Sequence, residues 1–164
     1  MQPVRDRGAV ADPVPAFVTG VRVYFQDTDA GGIVYHARYL DFLERSRMDW
    51  LRSLGHPIRE LELRHGVLFI VHAIGIDYLR PGRLEDELQV ELGLERLGGA
   101  SLDLRQRVTR DGEVLVSARV RLACVQTAGL RPARIPPVLR ERLGTPDRTR
   151  SGMTTTTAAT TCPT

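Results

Sequence analysis

The sequence predicts an α+β domain, with a curled antiparallel sheet of about five strands packed around one long central helix. Two observations carry this. One long helical period runs from about Ala37 to Leu54, and a series of alternating apolar segments follows it. A strand, a single long helix and then a run of four strands should pack as a curled sheet around that helix.

Phe17 to Phe25 reads as the first strand, with Val21 and Val23 on one face. QDTDAGG follows, a turn rich in Asp and Gly where backbone and ligand can approach closely. In the helical stretch Tyr39, Leu43, Trp50 and Leu54 share a face, with Leu40, Arg47 and Leu51 beside it. Gly55 stops that helix, and Pro57 prevents its simple continuation. After a short charged segment, read as a helical turn, the remainder is strands. Val67 to Leu79 is apolar on both faces, as expected of a central strand, so His72 is expected to be a core residue. Leu88, Val90, Leu92 and Leu94 alternate with Gln89, Glu91, Gly93 and Glu95. Leu102, Leu104 and Val108 alternate with charged neighbours, and Asp111-Gly112 is a strong hairpin signal. Val114, Val116, Ala118, Val120, Leu122 and Cys124 then point inward, opposite Arg119 and Arg121. One sheet on one helix leaves a strand edge and a helix flank uncovered, and dimerisation would cover both.

A chain of 164 residues supports one domain with one good core. Residues 1–15 read as a flexible arm, 16–143 as the domain, and 144–164 as a disordered Thr-rich tail. No apolar run approaches a membrane span, and the first residues lack the apolar run of an export signal, so the expected compartment is the cytoplasm. Lysine is absent and the net charge is +3, with arginines scattered among acids. That pattern does not suit nucleic acid, but it suits a small ligand carrying several phosphates. Four scattered histidines and two unrelated cysteines provide no metal site and no disulfide.

The chemistry concentrates in Tyr24 to Arg47, YFQDTDAGGIVYHARYLDFLERSR. Asp27 and Asp29 fall in a glycine-containing turn just before a helix start, where unpaired backbone amides and the positive dipole end collect. Such amides can hold a developing oxyanion while a carboxylate activates water or attacks. The same two carboxylates would also serve as plain turn and capping residues.

This stretch resembles the signature of the hotdog-fold thioesterases of the 4-hydroxybenzoyl-CoA thioesterase superfamily, and in particular the Tol-Pal-associated acyl-CoA thioesterase branch. Asp27 to Gly32, Tyr35, His36, Tyr39, Phe42, Glu44, Arg45 and Arg47 match its pattern, with Ile33 a conservative departure. The likeness continues through LRPGRLEDEL and RLGGASLDLRQRV to about Leu143. It implies hydrolysis of an acyl-CoA to free acid and coenzyme A, with coenzyme A as part of the substrate and no further cofactor. It places the catalytic aspartate on Asp29 and the oxyanion donor on the backbone amide of His36, whose side chain either orients the loop or joins the chemistry. Glu44 would position water, act as the base, or merely pair with Arg45 or Arg47. Gly31, Gly32 and Tyr35 would line the substrate, and the turn carrying Gly98, Gly99 and Ser101 would meet the nucleotide end of coenzyme A. The resemblance also implies a dimer of dimers, with protein partners of the Tol-Pal or lipid-synthesis kind. A non-catalytic acyl-CoA sensor remains open. A hotdog dehydratase would carry a His-Phe-Pro-Gly type motif, where this chain has Gly31-Gly32-Ile33-Val34-Tyr35-His36.

Overall fold

The computed structural model describes residues 15–144, so nearly all of the expected arm and the Thr-rich tail lie outside the described residues. The chain runs β1 (Phe17–Arg22), a single 3-10 turn (Phe25–Asp27), α1 (Arg38–Ser53), α2 (Ile58–His65) and β2 (Val67–Tyr78). It continues through β3 (Glu87–Leu97), β4 (Ser101–Arg110), β5 (Glu113–Gln126) and α3 (Pro137–Gly144). The five strands form one antiparallel sheet in the order β1-β3-β4-β5-β2. The expected α+β class is what forms, with α1 as the long helix and two short helices beside it.

Local chemistry explains most boundaries. Gly55, at φ 85°, follows the end of α1, and Gly66, at φ 62°, caps α2 in the left-handed conformation. The β4–β5 hairpin closes on Asp111 and Gly112, with φ of 51° and 81°. Two successive positive φ values let a two-residue turn match the strand twist. Leu88, Val90 and Leu92 on β3 and Leu102 and Leu104 on β4 are buried, as their alternation required.

The inner face of α1 is Tyr39, Phe42, Leu43, Ser46, Arg47, Trp50 and Leu51. Leu40 is 39% exposed rather than part of that face. Each residue turns the helix by about 100°, which carries Leu40 to the flank while Phe42 and Ser46 turn inward.

Buried apolar side chains form two clusters. One gathers Trp50, Leu51, Leu92, Leu104 and Val120, among others. The second, toward the start of α1, gathers Tyr39, Phe42, Leu43, Val90, Val108 and Ala118. Between them lie Ser46 and Arg47 on α1 and Gln106 on β4, all buried. Arg47 Nη1 donates to Gln106 Oε1 at 2.8 Å, and Gln106 Nε2 donates to the Leu43 carbonyl at 3.0 Å. A polar layer therefore crosses the core. Burial holds the Arg47 guanidinium below its usual basicity, with the Glu44 charge opposing that shift.

Two expectations are corrected. Among the described residues β2 is an edge strand, paired only with β5, and its Ile70, Val71 and Ile74 are 37%, 49% and 40% exposed. Its apolar residues read as buried in the sequence, but in the single chain one side of β2 is uncovered. His72 is exposed, not in the core: it lies on the uncovered strand among exposed neighbours, where the β2–β5 register shifts between Val71 and Ala73. α3 was not expected: its length of 8 residues and the prolines before it conceal the period, yet Leu139 and Leu143 are buried.

Candidate active site

β1 ends at Arg22, and Val23 ties the next turn to the β2–β3 connection through Val23 N to Asp86 O at 3.0 Å and Glu85 N to Val23 O at 3.0 Å. Asp27 is 4% exposed. Its Oδ2 accepts the Tyr24 amide at 2.9 Å, its carbonyl accepts the Tyr35 amide at 2.9 Å, and its Oδ1 lies 3.9 Å from Arg38 Nε. Every polar group of Asp27 thus serves the turn. Asp27 is a shaping residue.

Asp29 is different. It is exposed at the tip of a tight loop, where its amide donates to the Ile33 carbonyl at 2.9 Å and its carbonyl accepts Gly32 N at 3.0 Å. Its Oδ1 accepts the Gly31 amide at 2.8 Å, which fixes the carboxylate while leaving it open to solvent. Glycine is needed at 32, where φ is 72°. A Cβ at Gly31 would lie 3.1 Å from Asp29 Oδ1.

Beyond the loop, Val34 N donates to Gly82 O at 2.9 Å, and Tyr39 Oη accepts Gly82 N at 2.9 Å. α1 starts at Arg38 without a side-chain cap. Arg38 N donates to the Tyr35 carbonyl at 2.8 Å, but among the described residues no acceptor meets the His36 amide. A free donor therefore sits at the positive end of α1, seven positions after Asp29. The His36 ring packs against Tyr35 at 4.4 Å between centroids and meets Tyr78 edge-on at 6.2 Å. Tyr35, His36 and Tyr78 are all exposed, forming an aromatic wall beside the loop.

Glu44 is exposed on α1, and it forms no ion pair with Arg45 or Arg47 among the described residues; only its longer-range charge acts on Arg47. The turn of Gly98, Gly99 and Ser101 is not near Asp29 in the same chain. Arg22 pairs with Glu87 at the loop end of β3, whereas Gly98 follows Leu97 at its other end, roughly 33 Å away by strand rise. That turn is stapled by the chain beyond β5: Ile135 N donates to Gly99 O at 2.9 Å and Arg140 Nη1 to Gly98 O at 2.7 Å. A concavity of about 380 Å³ on the β3–β4 face contains none of this chemistry, and its Arg105 and Arg107 pair with Glu95 and Glu91.

Residues 23–143 match the family model of the thioesterase-like superfamily. The chain belongs to the thioesterase-like superfamily. Within that superfamily it is 41% identical, over 116 residues, to the acyl-CoA thioesterase YbgC of Haemophilus influenzae, a match covering 71% of this chain and 85% of that protein. It is 32% identical to the long-chain acyl-CoA thioesterase FadM of Escherichia coli, across 76% of this chain and 95% of that one. The crystal structure of a probable thioesterase from Bartonella henselae superposes with a TM-score of 0.71 at 34% identity, covering 73% of this chain and 98% of the other. The superfamily match and the sheet topology agree with the expected hotdog architecture.

Two features of this candidate site were not read from the sequence: Tyr78, whose hydroxyl reaches the His36 carbonyl, and the Tyr39–Gly82 contact. Both touch the connection around LRPGRLEDEL, whose match to the family pattern was the available signal.

Proposed function

We propose that this chain hydrolyses acyl-CoA thioesters through Asp29. The observation that supports this best is the pairing of an anchored, solvent-open carboxylate with the unsatisfied His36 amide at the start of α1. The amide polarises the thioester carbonyl, and Asp29 takes a proton from water as that water adds. The tetrahedral intermediate then collapses, expelling the coenzyme A thiolate, which recovers the proton. Direct attack by Asp29 to form a mixed anhydride, later hydrolysed, uses the same atoms. Gly31, Gly32 and Tyr35 line the acyl group, and Glu44 positions water from α1.

The distance between Asp29 and Gly98, Gly99 and Ser101 implies that a nucleotide contact at that turn comes from another copy. The open edge of β2 offers a place for that copy to pair, and a dimer of dimers in the cytoplasm completes the reading. Protein partners of the Tol-Pal or lipid-synthesis kind rest on the resemblance alone.

The test is thiol release from acetyl-, butyryl-, palmitoyl- and benzoyl-coenzyme A by wild type and Asp29→Asn. Turnover by the wild type alone supports the reading and names the acyl class. Binding without turnover of any substrate would replace it with a sensor.

A further inference from the structure

Tyr78, the last residue of β2, donates its hydroxyl to the His36 carbonyl at 3.1 Å. The contact joins an edge strand to the loop before α1 across 42 positions of sequence. We propose that Tyr78 is a positioning residue: by holding the His36 carbonyl it fixes the junction of the loop with α1, and so the placement of the His36 N–H that precedes it. The inference rests on the reading of that amide as oxyanion donor.

The peptide unit carrying the His36 N–H is held on its carbonyl side by Arg38 N, at 2.8 Å from Tyr35 O. That bond belongs to the first turn of α1, where helices fray and amides are least constrained. The unit before it is fixed by Tyr35 N on Asp27 O at 2.9 Å. In the unit after it, the His36 carbonyl accepts one hydrogen bond among the described residues, from Tyr78. With all three units held, both backbone dihedrals of His36 are determined. Release of the last loosens the ψ angle of His36, and with it the seating of the loop and its donor against the start of α1.

Tyr78 is itself well fixed. Its backbone pairs with Val116, and the next two amides, Leu79 and Arg80, both donate to Leu115 O at 2.8 and 3.0 Å. Its ring lies 5.9 Å from Tyr39, whose hydroxyl accepts the Gly82 amide. A hydroxyl on so rigid a base can aim a backbone group within the tolerance that transition-state stabilisation demands. Tyr78 is 46% exposed, so its hydrogen bond adds little to global stability, and its effect should appear in catalysis.

The experiment compares full-length wild type, Tyr78→Phe and Asp29→Asn. Tyr78→Phe keeps the ring and removes the hydroxyl. Expected are a kcat lower by about fivefold to tenfold, the scale of one hydrogen bond, a KM within about twofold, and a Tm within about 2 °C. The amide resonance of His36 should shift and exchange faster with solvent. An unchanged kcat, a change confined to KM, or an unmoved His36 amide would each overturn the proposal. If Asp29→Asn is inactive while Tyr78→Phe is fully active, the site reading stands and only Tyr78 falls. If Asp29→Asn retains the rate while Tyr78→Phe loses it, the base assignment falls and the positioning role stands. Should the wild type hydrolyse no thioester, the proposed function fails, and the His36 amide alone decides the role of Tyr78.

Discussion

The Arg47 guanidinium donates to the Gln106 side-chain oxygen at 2.8 Å inside the core, and among the described residues no carboxylate lies within ion-pair distance of it. The charge is therefore stabilised by a neutral amide that also holds the helix backbone at Leu43. Removing Gln106 as Gln106→Leu should cost about 2–3 kcal/mol, since a buried charged donor loses its partner. The double variant Arg47→Met, Gln106→Leu should recover most of that loss, because an apolar pair of similar volume avoids desolvating a charge. Urea unfolding of the three chains, wild type, Gln106→Leu and the double variant, measures both; a double variant less stable than Gln106→Leu would contradict the expectation.

Gly31 touches the carboxylate of the proposed mechanism directly, its amide donating to Asp29 Oδ1 at 2.8 Å. A methyl there would sit 3.1 Å from Asp29 Oδ1, tighter than ordinary contact, in a loop open to solvent. Gly31→Ala should lower kcat severalfold and leave the Tm within about 2 °C, because the crowding falls on the carboxylate and not on the core. Steady-state kinetics beside a melting curve decide it; equal kcat would show that Asp29 need not keep this geometry.

Cys124 gives a pH dependence of definite sign. Burial pushes its thiol up from 9.0 to about 11. Above the lower value the unfolded chain releases a proton that the folded chain retains, so raising pH favours unfolding. The thiol's contribution is whole below pH 9.0 and is lost as pH rises toward about 11. Wild-type stability should fall across that window, and Cys124→Ala should fall less steeply. Parallel slopes in urea titrations at stepped pH would refute the assignment.

The uncovered edge of β2 makes a prediction about assembly. Ile74 is 40% exposed on a strand with one unpaired side. Ile74→Lys should be harmless to the single chain and should disfavour strand-to-strand association. Light scattering after size exclusion should then report a smaller particle than the wild type. An unchanged mass would place any interface elsewhere.

Much of this was legible in sequence because period and turn chemistry are local. The alternation around Val90 and Leu104 and the Asp111-Gly112 hairpin depend on near neighbours, and both formed as read. The loop from Asp27 to His36 was recognisable because its glycines and aspartates answer to backbone geometry. What escaped was non-local. A hydrophobic strand looks alike whether its cover is its own sheet or something outside the chain, so β2 was misplaced and His72 with it. Gln106 stands at an inward position, and only its contact with Arg47, 59 residues away, shows why a polar residue is tolerated there. Tyr78 gave no sign in its own neighbourhood of a bond to His36.

The polar layer of Ser46, Arg47 and Gln106 also bears on how such a protein can change over generations. It parts the apolar side chains near the start of α1 from those around Trp50. Replacements at Phe42, Leu88 or Val90 reshape the cluster beside the Asp29 loop, and along α1 and β4 they meet Arg47 and Gln106 before the other compartment. On the proposed function, changes that tune substrate preference would fall in the first compartment, at a cost in buried contacts, while the second keeps the chain in its shape.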